Sequence, residues 1–245
     1  MAFGLTQSAD LERGSSQNFS ITDASQTGLD FTGDFTFEFW WKPESLVSGE
    51  EQQLVNKYGD ANNRPYRFFF INSGGTQTFQ LDTDSVAGSS PEESSVWQGG
   101  GTDFSDLSTG TWYHIAVSKA STTATLYIDA DSKGGKTAAG SQFNGNGDLT
   151  IGGKGSDMSD GRLSLMRLWS EARSQSEIDD QKCNVLGSTT NLQAEWKFDG
   201  DANDNSGNGN NLTENNTPTY PEDVPGTCTA VVATTPTLGL LGVGK

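Results

Sequence analysis

Asp34-Phe35-Thr36-Phe37-Glu38-Phe39-Trp40-Trp41-Lys42-Pro43 alternates with a period of two: Phe35, Phe37, Phe39 and Trp41 fall on one face, and Thr36, Glu38, Trp40 and Lys42 on the other. That is the period of a β-strand and not of a helix. A face of large apolar side chains has to be covered, because burying each one is worth roughly 1.5–3 kcal/mol. The strand therefore belongs in the middle of a sheet that lies on a second sheet. Pro43 ends the ladder, having no N–H to donate. Trp40, on the opposite face, has two readings: a side chain packed under a further layer, or part of a ligand platform.

The rest of the chain agrees with an all-β reading. Its 245 residues suit one large all-β domain or two small ones, and its 30 glycines, with abundant Ser, Thr, Asn and Asp, favour many short strands joined by turns. Lys and Arg total 15 against 32 Asp and Glu, a net charge of -17. This field excludes nucleic acid and anionic membrane surfaces as partners. It suits divalent cations, and it equally serves plain solubility. The only cysteines are Cys183 and Cys228, so a disulfide framework is excluded, and one bridge or two buried thiols both remain open. No apolar run approaches the ~18 residues of a membrane span. Met1 to Thr6 carries neither a basic region nor an apolar core, so no secretory signal is expected there.

Read in order, Leu11-Glu12-Arg13 and Asn18-Phe19-Ser20-Ile21 predict an opening strand pair, and Gln53 to Tyr58, Tyr66 to Ile71 and Thr78 to Leu81 predict the strands that follow the Phe35 segment. Asp82 to Asp106 is polar enough to predict a surface insertion, with Trp97 and Phe104 as its only large aromatics. Thr111 to Ser118 and Ala124 to Asp129 predict a hairpin; Asp148 to Gly153, Arg162 to Trp169 and Asn191 to Phe198 predict further strands. Ser174-Gln175-Ser176-Glu177 has capping-box spacing and predicts one short helix reaching about Lys182.

Phe35 to Pro43, then Trp112-Tyr113-His114-Ile115-Ala116-Val117, Leu126-Tyr127-Ile128-Asp129, Gly161 to Trp169 with Glu177-Ile178, and Trp196-Lys197-Phe198-Asp199 with Asp204 to Asn210 resemble, in order and spacing, the laminin G-like jelly rolls of the concanavalin A-like lectin and glucanase superfamily. The resemblance covers about residues 10 to 216. It implies an all-β fold: a two-sheet antiparallel jelly-roll sandwich with one short helix, here followed by an extended C-terminal tail. The expected division is a jelly roll over 1–217 and a tail or assembly arm over 218–245. The resemblance also implies binding of a glycan or a protein surface, often with Ca²⁺, and it does not imply catalysis.

Individual residues sharpen these expectations. His114 is the only histidine, which excludes His-dependent triads and multi-histidine metal sites, and its strand position gives it a structural role. Hydrolysis of glycosides needs two carboxylates about 5–9.5 Å apart. The superfamily's glucanases carry theirs as Glu-x-Asp-x-Glu on one strand, a pattern missing here, so no enzyme is expected. Asp199, Asp201, Asp204 and Asn205 concentrate oxygen ligands in one loop, which fits Ca²⁺ and fits a metal-free turn equally. Asp157 with Asp160, and Asp129 with Asp131, are the second and third candidates for such a cation, each against the reading of a solvated hairpin tip. Trp97, Trp40 and Tyr58 are the expected glycan platforms, with Tyr66 and Phe104 behind them; for Trp97, an anchor for the insertion is the competing role.

The end of the chain, Thr227 to Lys245, is apolar and glycine-rich and cannot form a core alone. An ordered tail of this kind has to rest on something, and a neighbouring subunit or a larger assembly is the expected candidate. The first expectation is accordingly a non-enzymatic lectin-like component of a large assembly, such as a phage capsid decoration or tail protein on a virion surface. The alternative is a free extracellular, Ca²⁺-dependent carbohydrate-binding module.

Overall fold

The alternating aromatic stretch forms a nine-residue strand, and the strands around it close into two sheets. The computed structural model describes residues 4–59, 63–87 and 93–226. In chain order the strands begin with β1 (Ala9–Leu11), β2 (Asn18–Ile21), β3 (Phe35–Pro43), β4 (Glu51–Tyr58), β5 (Tyr66–Ser73), β6 (Thr76–Thr83) and β7 (Glu93–Gln98). They continue with β8 (Tyr113–Ala120), β9 (Thr123–Ile128), β10 (Asp131–Thr137), β11 (Asp148–Ile151), β12 (Gly161–Trp169), β13 (Leu192–Trp196) and β14 (Thr213–Asn215), with a helix α1 (Gln175–Gln181) between β12 and β13. The first sheet runs β1-β12-β3-β8-β9-β10, with β13 also on β12, and the second runs β14-β2-β11-β4-β5-β6-β7. Every pairing is antiparallel.

The two layers meet through the face predicted from the alternation. Phe35, Phe37, Phe39 and Trp41 are all fully buried. From β3 they reach across to the second sheet: Phe37 lies 5.2 Å from the Tyr66 ring, Phe39 6.3 Å from Phe68, and Trp41 5.4 Å from Phe70. Tilted and edge-on ring pairs of this kind add about 0.5–1.5 kcal/mol each beyond their burial. At the margin of this core, the buried Lys57 Nζ sits 2.8 Å from both Asp23 and Asp30 and donates to Gln26 Oε1 at 2.6 Å, fixing the turn-rich segment that leads into β3.

The outer face of the first sheet is covered as well. Ser174 and Glu177 form the predicted capping box, and α1 sets Ile178 against Ala116, Tyr127 and Ala130. The flanking chain bonds to the sheet beneath it: Thr36 Oγ1 donates to Glu171 O at 2.8 Å, Trp40 Nε1 to Lys182 O at 2.8 Å, and Arg167 Nη2 to Gln181 O at 2.9 Å. Under this cover Glu38 accepts from Trp169 Nε1 at 2.8 Å and pairs with Arg167 Nε at 3.2 Å, with His114 Nε2 at 3.6 Å from its other oxygen.

The chain returns to this side at its C-terminal end. Thr219 and Asp10 exchange backbone hydrogen bonds, and Ser8 N–H donates to Pro221 O. Asp223 accepts from Lys42 Nζ at 2.6 Å, Arg162 Nη1 at 2.5 Å and Trp112 Nε1 at 3.1 Å. Burial pushes the Asp223 carboxyl up, but these three donors outweigh it and leave the group below the usual carboxylate range. Val224 joins Leu5, Trp40, Leu165 and Cys183 in a small apolar cluster. Residues 218–226 of the expected tail thus lie against the sandwich, while 227–245 are outside the described residues. Cys183 is disulfide-bonded, and the chain's other cysteine, Cys228, is also outside them.

Two expectations change here. The predicted insertion over 82–106 contains an edge strand: β7 pairs with β6 from Thr83↔Glu93 to Thr78↔Gln98. Trp97 is therefore not a glycan platform. It faces inward with no exposed surface, and its Nε1 donates to Gly134 O at 2.9 Å. Trp40, 2 % exposed beneath the Lys182 segment, is likewise a packing residue.

Candidate functional site

With the first sheet roofed over, the outer face of the second sheet is the one left open. Its floor owes its shape to a register shift. Strict alternation in β4 would put Gln53 and Val55 on the same face. The ladder to β5 instead shifts between Gln53 and Val55, so that Leu54 and Val55 both enter the core while Gln53 and Asn56 share the outer face. Asn56 Nδ2 donates to Gln53 Oε1 at 2.8 Å. Arg67, on β5, stands opposite Asn56 on β4 and opposite Asp82 on β6.

Arg67 is held on three sides. Its guanidinium lies 4.1 Å from the centre of the Phe69 ring, Nη1 is 2.8 Å from Glu51 Oε1, and Nη2 is 2.7 Å from Asp82 Oδ2. Asp82 is fixed in turn by Gln80 and Ser94, which donate to its Oδ1 at 2.6 and 2.7 Å. Burial raises the Glu51 carboxyl, an effect that the Arg67 charge and the Gln53 hydrogen bond partly offset.

The wall comes from the turn after β11. Gly153 has φ +110, and a Cβ there would fall 2.4 Å from Asp157 O, so only glycine lets the loop fold back so tightly. The loop brings Lys154, Gly155, Ser156 and Asp157 over β4, where Gln53 Nε2 donates to Asp157 Oδ2 at 3.3 Å. Together with Arg64 these residues enclose a groove of about 410 Å³. At its floor Asn56 is 1 % exposed, and its Oδ1 has no hydrogen-bond partner among the described residues. A buried acceptor left in this state in a polar recess is the kind of group that a hydroxyl donor satisfies.

The other expected site residues are committed elsewhere. Asp199 Oδ1 accepts from the N–H groups of Thr6 and Gln7 at 2.9 and 2.8 Å, tying down the N-terminal segment. Asp201 accepts from Asn203 N–H at 3.1 Å in an Asx turn. Asp204 takes Glu195 and Ser206 N–H on one oxygen and Ser206 Oγ and Asn210 N–H on the other. Asn205 turns its amide nitrogen to the carbonyls of Asn203 and Glu195. This loop is a hydrogen-bonded turn, and its carboxylates are not among the acidic groups gathered at metal-binding spacing in the described residues. Asp129 Oδ1 accepts His114 N–H at 2.9 Å. Tyr58 ends β4, but its side chain is outside the described residues. Phe104 and Tyr66 are in the core.

Among the described residues one acidic group can hold a metal ion: Asp10, Glu12 and Glu44, whose oxygens lie within 4.8 Å of one another. Three carboxylates at this spacing have the chemistry of a hard cation site. Arg162 already enters the group, with Nε 3.0 Å from Glu44 and Nη2 3.6 Å from Asp10. Burial raises the carboxyls of Asp10 and Glu44 more than Arg162 lowers them. None of the three acids lines the groove. Among the described residues no helix is long and apolar enough to cross a membrane.

Residues 13–179 match the family model described as the concanavalin A-like lectin/glucanases superfamily. No curated protein sequence matches the chain. Among solved structures, the chain is similar to a protein of Bacteroides ovatus ATCC 8483 described as carbohydrate binding, with a TM-score of 0.67 at 17% identity over 89% of this chain and 60% of that one. It is also similar to a heptameric SAP-like pentraxin of Limulus polyphemus, with a TM-score of 0.59 at 12% identity over 87% and 97% of the two chains. Domain 4 of a GH43 extracellular arabinanase of Geobacillus stearothermophilus, solved with arabinotriose, gives a TM-score of 0.52 at 19% identity over 71% and 75%. At these identities the likeness is one of fold.

Proposed function

Because the chain belongs to the concanavalin A-like lectin/glucanase superfamily, we propose that it is an extracellular carbohydrate-binding module whose ligand lies in the groove on the outer face of the second sheet. The observation that carries this reading is the buried Asn56 Oδ1, unpartnered among the described residues, at the floor of a recess lined by amide, guanidinium and hydroxyl groups. Sugars recognised by hydrogen bonding need such a set of donors and acceptors held in place beforehand. The Bacteroides ovatus protein described as carbohydrate binding and the arabinanase domain with its arabinotriose support it by fold. The disulfide at Cys183 fits an oxidising compartment.

We propose further that the module binds its glycan without cleaving it. Hydrolysis takes a pair of carboxylates across the glycosidic bond, whereas Asp157 is the one carboxylate among the described lining residues, and it accepts from Gln53 and Ser156. Calcium, if the module takes it, belongs to the Asp10, Glu12 and Glu44 group and not to the groove. The reading as a virion component depends on residues 227–245, outside those described, and draws nothing from these relatives.

Titration calorimetry against a panel of oligosaccharides, with Asn56→Ala beside the wild type, tests the assignment. Loss of a hydrogen-bonding amide at the floor is expected to weaken binding up to about tenfold, the equivalent of ~1.4 kcal/mol. Equal affinities for the two proteins would remove the groove from the binding surface.

A further inference from the structure

We propose that the groove selects its sugar by polarity: its floor takes a group that donates a hydrogen bond to Asn56 Oδ1, and Gln53 fixes that demand from behind. The inference rests on the groove being the glycan site and concerns only which sugar groups its floor accepts. It starts from two carboxylates. Gln53 Nε2 donates to Glu51 Oε1 at 3.2 Å and to Asp157 Oδ2 at 3.3 Å. An ionised carboxylate only accepts, so the Gln53 oxygen has no place on that side. Arg67 Nη1, 2.8 Å from the same Glu51 oxygen, and Ser156 Oγ, 3.0 Å from Asp157 Oδ1, hold the two acids in place. Gln53 Oε1 is thereby turned to Asn56, whose Nδ2 donates to it at 2.8 Å. An amide that gives its nitrogen to one side shows its oxygen to the other. Asn56 Oδ1 ends this relay, buried and with no partner among the described residues.

Such a floor discriminates between sugars. A hydroxyl has a proton to give, and an acetamido group has its N–H, so either satisfies the acceptor. A deoxy position or a methyl ether has none and leaves Asn56 Oδ1 enclosed without a partner, while a ring carboxylate or sulfate sets oxygen against oxygen. A site built to bond a hydroxyl rejects the analogue that lacks it far more sharply than an apolar pocket separates two sizes. No described lining residue is aromatic, so hydrogen bonding and not ring stacking carries the recognition. The nearby charges do not offset the demand for a donor. Arg67 is matched by Glu51 and Asp82, and Arg64 and Lys154 are engaged by neighbours. The class of ligand that fits is a neutral sugar with a free hydroxyl or acetamido group at the position reaching the floor.

The test is titration calorimetry of the full chain with arabinotriose, galactotriose and cellotriose, each beside its monodeoxy and monodeoxyfluoro forms. Fluorine is close to a hydroxyl in size and cannot donate. In the wild type, the best-bound sugar is expected to have one ring position at which hydrogen and fluorine each weaken binding about tenfold or more. In Asn56→Leu, which offers no acceptor, that loss should shrink to about twofold or less. Gln53→Lys sets a donor-only group between Glu51 and Asp157 and turns the Asn56 amide over, so the fluoro form should return to within about threefold of its parent. A merely structural role for Gln53 would not produce that reversal, and its failure would remove Gln53 from the account. The wild-type series decides alone where a variant does not fold. Ser156→Trp, which fills the groove from its rim, separates the two readings. If it abolishes binding while no position shows the tenfold fluorine loss, or the loss persists in Asn56→Leu, the polarity inference falls and the groove stands. Binding that Ser156→Trp leaves unchanged, or no binding to any of the three sugars, would overturn both.

Discussion

Replacing His114 should change how the fold responds to acid, and the size of the change follows from its surroundings. The imidazole is fully buried on β8, edge-on to Trp40 at 5.2 Å, and neither ring nitrogen has a hydrogen-bond partner among the described residues. The charged groups around it are Glu38 on β3, Arg167 on β12, Lys182 after α1, and Asp129, which accepts its backbone N–H. Glu38 is near, but its charge is already matched by Arg167, and 3.6 Å is too long for a hydrogen bond. Burial first, then the positive charges of Arg167 and Lys182, hold the His114 pKa well below its ordinary 6.5. In the unfolded chain the same imidazole takes up its proton near pH 6.5. The unfolded state therefore binds more protons below that pH, and stability falls as the pH drops through it. One such group costs about 1.4 kcal/mol at pH 5.5 and about 2.7 kcal/mol at pH 4.5, for as long as the folded imidazole stays neutral. Urea unfolding of wild type and His114→Asn across about pH 4.5–7.5 isolates this contribution, since the carboxylates are common to both. The difference between the curves should close by ~1.4 kcal/mol per pH unit below pH 6.5. Parallel curves would refute the account of a neutral, enclosed imidazole.

Further outcomes follow from other sites. Lys57→Met removes the cation that Asp23 and Asp30 share; because both acids keep some water contact, the cost should lie near ~3 kcal/mol, the low end for a broken buried pair, read as a lower urea midpoint. Trp97→Ala empties a fully buried site and should cost about 3–5 kcal/mol in the same assay, whereas an exposed platform residue would lose affinity without losing stability. Treatment with EDTA should leave groove binding unchanged, because the Asp10, Glu12 and Glu44 group does not line the groove; a metal-dependent loss of affinity in calorimetry would contradict that separation.

The sequence is most legible where one physical signal dominates. The alternation from Phe35 to Trp41 identifies the central strand, and the Ser174/Glu177 spacing identifies the helix, because a two-residue period and a capping box are both local. Edge strands carry weaker signals. β10 reads Asp131-Ser132-Lys133-Gly134-Gly135-Lys136-Thr137, with exposed and half-exposed residues throughout and a register shift between Ser132 and Gly135. β7 hides in a polar run, and its single large aromatic looked like a platform although the inward Ser95/Trp97 phase makes it an anchor. The Asp199 to Asn205 loop has the composition of a cation site, yet its oxygens serve turns, a distinction that composition cannot draw. The groove was out of reach for a different reason. It joins β4, the approach to β5 and the turn after β11, about a hundred residues apart along the chain, and it depends on the shifted phase at Leu54.

The two ends of the described chain are stitched together, Asp10 to Thr219 and Ser8 to Pro221, and Leu5 and Val224 share a cluster with Trp40 on the roofed side of the molecule. Both ends of the described region therefore leave the sandwich from its roofed side. The groove, on the outer face of the other sheet, stays clear of both. The same proximity makes the described region a ready scaffold for circular permutation, with new ends cut into a rim turn and Leu5 and Val224 joined by a short linker.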